Sequence, residues 1–164
     1  MRRVLLMSVA VAGLLTAFAA GAPDEARGDD AKNADAKAIQ GNWKPDKAEL
    51  AGKPMPDAIL RTISLKLENG KYDVLVGDKP DKGTYTLDAT TQPGSITVTG
   101  TEGPNQGKTY PAIYELRRGE LSRDDAKRDT LRICYDLSGE KRPAEFKTAA
   151  GTKLYLVTYS RKKE

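Results

Sequence analysis

The chain has 164 residues, enough for one domain with a real core and too few for two. Its 27 basic and 23 acidic residues nearly balance, and removal of residues 1–22 with Arg2 and Arg3 leaves 25 against 23, which argues against a nucleic-acid partner. The absence of histidine and the single cysteine, Cys134, exclude Ser-His-Asp and Cys-His catalytic sets, an intrachain disulfide and thiolate metal clusters.

Met1-Arg2-Arg3 is a basic start, and Val4 to Ala20 is apolar apart from Ser8, Gly13 and Thr16. Ala17-Phe18-Ala19 and Ala20-Gly21-Ala22 both fit a small-x-small cleavage pattern, although Pro23 disfavours the second. Residues 1–22 therefore read as a secretory signal peptide rather than a retained membrane anchor. The mature protein is expected in the periplasm or outside the cell, with no stable membrane span. No cysteine follows the run, so a lipoprotein anchor is excluded. Residues 23–38 are charged, rich in alanine and without large apolar side chains. They read as a disordered polar linker, with a nascent helix near Ala31 to Ala38. The folded domain is expected over 39–164.

From Ile39 onward, short apolar runs alternate with Gly, Pro, Asn and Asp. Gly41-Asn42-Trp43-Lys44 opens the first predicted strand, and Pro56 then suits the start of one helical turn, Asp57 to Leu60. Ile63, Leu65 and Leu67 alternate with Ser64, Lys66 and Glu68, the period of a half-buried strand. Asn69-Gly70 predicts a tight hairpin into a strand with Tyr72, Val74 and Val76 on one face. A turn over Gly77 to Lys82, a strand over Gly83 to Leu87 and another over Ser95 to Thr99 follow. Gly100 to Lys108 reads as a loop. Strands are then expected over Tyr110 to Leu116, with Tyr114 and Leu116 inward, over Leu131 to Tyr135, and over Lys153 to Arg161. Eight or nine short strands about ten residues apart indicate an antiparallel barrel or sandwich.

Few residues invite a chemical reading. Cys134 reads as a small buried hydrophobe. Asp124, Asp125 and Asp129 lack the glycine and closing glutamate of a calcium loop, and Lys127 and Arg128 lie among them. They read as solvated, so no metal or cofactor is expected. Tyr72, Tyr85, Tyr114 and Tyr135 belong to inward faces, with Leu65, Leu67, Val74, Ile96, Val98 and Ile133. Two alternatives stay open: a hollow barrel whose ligand contacts are Tyr72, Tyr85, Val98, Tyr114 and Tyr135, or a filled core.

Ile39-Gln40-Gly41-Asn42-Trp43-Lys44 carries the Gly-x-Trp of a lipocalin first strand. Together with Ile113-Tyr114-Glu115-Leu116, Leu131-Arg132-Ile133-Cys134 and Arg142-Pro143-Ala144-Glu145-Phe146, it makes Ile39 to Lys162 resemble an uncharacterised lipocalin-like domain family of planctomycete bacteria. The resemblance implies an all-β fold: an antiparallel up-and-down, lipocalin-like (calycin-type) barrel of about eight strands with one short helical turn. It also implies that Trp43 plugs one end beneath a basic side chain of the last strand, Arg161. In the Arg142 to Phe146 string, Phe146 is expected as a core anchor, Pro143 as a turn and Arg142 as a local partner of Glu145. Ser122 to Thr130 departs from the pattern and reads as a charged loop insertion. The family brings no activity. The functional expectation is a non-catalytic exported protein that binds a small apolar or amphipathic molecule. The alternative is a solid module that binds an envelope protein through the loops at Gly100 to Lys108 and Ser122 to Thr130.

Overall fold

The computed structural model describes residues 34–121 and 127–162. The residues expected as signal peptide, and most of those expected as linker, lie outside them. Residues 34–38 form helix α1, within the stretch where the sequence suggests a nascent helix. Nine strands follow: β1 (Gly41–Leu50), β2 (Lys53–Pro54), β3 (Ile63–Glu68), β4 (Lys71–Val76), β5 (Lys79–Asp88), β6 (Gly94–Glu102), β7 (Thr109–Leu121), β8 (Lys127–Asp136) and β9 (Leu154–Lys162). Helix α2 (Asp57–Leu60) is the single turn between β2 and β3, and it buries Leu60.

From β3 onward each strand pairs antiparallel with the next in sequence. β1 pairs with β3 on one side and β9 on the other, so these eight strands close a barrel and β2 is a stub on the end of β1. Closure removes the sheet edges that would otherwise be open to pairing with other chains. The periodicity of Ile63, Leu65 and Leu67 is realised: all three point inward and are buried. At the β3–β4 hairpin, Asn69 and Gly70 both take positive φ (49° and 75°), the backbone a two-residue turn needs to match strand twist.

Several loops are shorter than the sequence suggests. Lys79 pairs with Val76, so Gly77-Asp78 alone makes the turn and Lys79–Lys82 are strand. Polar residues on the outward face of β5 mimic turn composition there. β6 likewise runs on to Glu102, which shortens the loop expected over Gly100 to Lys108. The charged insertion is also partly strand: Lys127 to Thr130 belong to β8 and pair with β7 across a register shift between Arg117 and Glu120. Asp124 and Asp125 lie outside the described residues.

The two ends of the barrel are built differently. At one end, under α1, Trp43 and Ile39 are fully buried. The indole N–H donates to the Ile39 carbonyl at 2.8 Å, and the Arg161 guanidinium lies 4.3 Å from the ring centroid. Burying one tryptophan contributes roughly 4–6 kcal/mol from area alone. Arg161 also donates to Asp129 at 2.9 Å, to the Ala38 carbonyl at 2.6 Å and to the Gln40 carbonyl. Asp129 is thus the counter-ion of the plug.

Residues 137–153 wrap the outside of the barrel. Asp136 starts this segment by accepting the Ser138 hydroxyl at 2.6 Å and the Lys141 N–H at 2.8 Å. Its burial opposes ionisation, but these bonds and others from Ser138 and Glu140 outweigh burial and hold the carboxyl below its ordinary range. Two expectations for the Arg142 to Phe146 string are corrected. Arg142 does not pair with Glu145; it donates to the carbonyls of Ile96 (2.8 Å) and Ala112 and to the Thr97 hydroxyl (2.9 Å), tying β6 to β7. Acceptors held in place by the sheet satisfy the forked guanidinium without the entropy cost of fixing an exposed glutamate. Phe146 is half-buried outside the core, beneath the Arg132 guanidinium at 4.6 Å. Cys134 is fully buried on the outward face of β8, covered by this segment.

Candidate functional site

Between the plug and the opposite end lies a cavity of about 260 Å³. Its wall is built by alternation: Leu65 from β3, Val74 from β4, Ile96 and Val98 from β6 and Ile133 from β8 all face inward. Ile63, Val76 and Leu137 stand at its open end, where Val76 is 44% exposed. The hollow alternative describes this half of the barrel, and the filled alternative describes the half around Trp43.

Of the five sequence-predicted contacts, Tyr72, Tyr85, Val98 and Tyr135 line the cavity. Tyr114 does not. It faces inward as expected, but near the plugged end, where its hydroxyl donates to Asp35 of α1 at 2.7 Å and its ring fills the space beside Gly94. Period two assigns a residue to a face, whereas its depth along the axis depends on strand register.

The sequence reading missed Asp81, Asn105, Tyr110, Tyr155 and Tyr159, which also line the cavity. Tyr155 stacks on Tyr135 with centroids 5.9 Å apart. Asp81 lies inside a stretch that reads as a turn. Its spacing from Gly83, Tyr85 and Leu87 is the signal that places it on the inward face.

Asp81 is 6% exposed, the most enclosed carboxylate on the cavity wall. Its Oδ2 accepts the Tyr72 hydroxyl at 3.2 Å and the Asn105 side-chain amide at 2.9 Å, and its Oδ1 accepts the Asn105 backbone N–H at 3.1 Å. Tyr110 donates to the Asn105 side-chain carbonyl at 2.9 Å, extending the chain of bonds along the wall. Local packing fixes this arrangement. A Cβ at Gly83 would lie 2.5 Å from the Tyr72 ring and 2.0 Å from the Thr99 carbonyl oxygen, so only glycine lets the ring lie across β5 with its hydroxyl on Asp81.

Burial raises the phenol pKa of every cavity tyrosine. For Tyr72 and Tyr110 the Asp81 charge adds to burial, and Tyr155 is pushed up to about 12. The site therefore presents neutral phenols and one carboxylate on an apolar surface, a pattern suited to holding a small molecule with a polar end. Among the described residues, no cluster of three or more His, Cys, Asp or Glu is placed to hold a metal ion, and no helix is long and apolar enough to cross a membrane. Comparison with family models, curated proteins and solved structures returns no match for this chain.

Proposed function

We propose that this protein is an exported, non-catalytic binding protein that holds one small, mainly apolar molecule in the open half of its barrel. The observation that carries this reading is the 260 Å³ cavity, with aliphatic walls, several phenols and one carboxylate. Export rests on the sequence of residues 1–22, and membership of the lipocalin-like planctomycete family rests on the strings that resemble it. The cavity tyrosines hold their protons, raised by burial, which supports binding over chemistry.

A second reading, a protein-interaction module, draws on Leu50, Ile59, Leu75 and Val76. These are exposed apolar side chains, all carried by elements at the open end. Native mass spectrometry of the mature protein from its own envelope separates the two. A reproducible adduct of a few hundred daltons, lost when Val98→Trp fills the cavity of a still-folded barrel, is the expected result. A bare wild-type mass, or an adduct indifferent to Val98→Trp, overturns the cavity reading and favours the module.

A further inference from the structure

We propose that the cavity selects a molecule carrying a protonated amine, with the Asp81 carboxylate as its counter-ion. This rests on the cavity being a ligand site. A buried carboxylate is matched either by a set of hydrogen bonds, as at Asp136, or by a cation. A cation serves at Asp129, which Arg161 meets at 2.9 Å. Among the described residues, Asp81 has no such partner; it accepts hydrogen bonds from the neutral donors of Tyr72 and Asn105. Two carboxylate oxygens offer about four acceptor positions, and three are filled, leaving one on Oδ1.

The clasp on Asn105 and Tyr72 uses both carboxylate oxygens as acceptors, and the charge that comes with them is left without a cation among the described residues. A charge kept in a low-dielectric wall attracts an ammonium far more strongly than it would in water. Its hydrogen bonds are already made, so little rearrangement accompanies binding. The same charge repels a carboxylate ligand. At about 30 Å³ for each water-sized group, 260 Å³ admits a chain or ring of roughly eight to ten heavy atoms. The ligand class is therefore a short, apolar primary amine with its ammonium at Asp81 and its tail among Leu65, Val98 and Ile133.

Calorimetric titration of the mature protein at neutral pH with octylamine, octanol and octanoate tests this without any mutation. The expected order is octylamine at least tenfold tighter than octanol, with octanoate weakest. Asp81→Asn should then bring octylamine to within about twofold of octanol while leaving octanol unchanged. Octanol and octylamine binding equally to wild type would overturn the amine preference and leave the cavity reading standing. Binding of none of the three probes would overturn both. An octylamine preference that survives Asp81→Asn in a folded variant would overturn the role of Asp81.

Discussion

The two ends of the barrel enclose an aspartate each, and the two are treated in opposite ways. Asp129, at the plugged end, meets Arg161, which also binds carbonyls before β1 and covers the indole of Trp43. Asp81, toward the open end, is held by neutral phenol and amide donors beside empty space. One end spends its polar groups on one another and is solid. The other leaves one acceptor position of its carboxylate without a protein donor among the described residues, as the proposed binding site needs. Under the proposed function, the difference teaches that stability and binding are divided along the barrel axis.

That division is breakable. Trp43→Ala should give the largest effect, a loss of about 3–5 kcal/mol, since it opens a large void in the tightest part of the core. Chemical denaturation monitored by circular dichroism reads it directly. Losing most of the structure without denaturant fits the same account, whereas a loss below about 1 kcal/mol would mean that the plug is not the keystone. Arg161→Met should cost somewhat less, about 3 kcal/mol, because it strands Asp129 while keeping apolar cover over the indole. Adding Asp129→Asn to Arg161→Met should recover part of that loss, and a double-mutant cycle measures how much.

The smallest effect concerns pH and sharpens the contrast. All seven tyrosines, at both ends, have phenols raised above the ordinary value of 10.0. Burial is the main cause throughout, with Asp35 adding to it at Tyr114 and Asp81 adding to it at Tyr72 and Tyr110. An unfolded chain sheds these protons near pH 10 and the folded chain keeps them. This stabilisation is therefore complete below pH 10 and is lost as pH rises through the folded values, which for Tyr155 means toward about 12. Phenolate absorbance should stay low past pH 10 and then rise together with loss of the β-sheet signal. A simple rise centred at pH 10 with the fold intact would show the cavity phenols to be open to water.

Much of this was legible in the sequence, for local reasons. Alternation over Ile63 to Glu68 fixes a face, Asn69-Gly70 fixes a turn, and both are properties of a few adjacent residues. The stacking of Arg161 on Trp43 followed from the lipocalin resemblance, although the residues are far apart in the chain. What escaped depends on register and on surfaces that only the closed barrel creates. Tyr114 shares an inward face with the cavity residues and differs from them only in depth. Asp81 sits among Lys79, Pro80 and Lys82, whose outward polarity made the stretch read as a turn. Phe146 looks like a core residue by type, yet the wrapping segment keeps it outside. Arg142 finds carbonyls 30 and 46 residues away, contacts that its neighbours in sequence do not announce.

The pairing of β1 with β9 fixes when the fold can form as well as what shape it takes. Arg161 bonds Ala38 and Gln40 across 123 and 121 residues of sequence, so the clasp joins nearly the first and the last of the described residues. A chain emerging from its N-terminus can make hairpins but cannot shut the cylinder or cover Trp43 until its last strand arrives. Such remote contacts slow folding and leave the partial chain without a stable half-way form. Under the proposed export, the polypeptide is threaded through a membrane before it works, and lateness of this kind is then an asset. The final few residues act as a latch, thrown only when the whole strand set is on the same side.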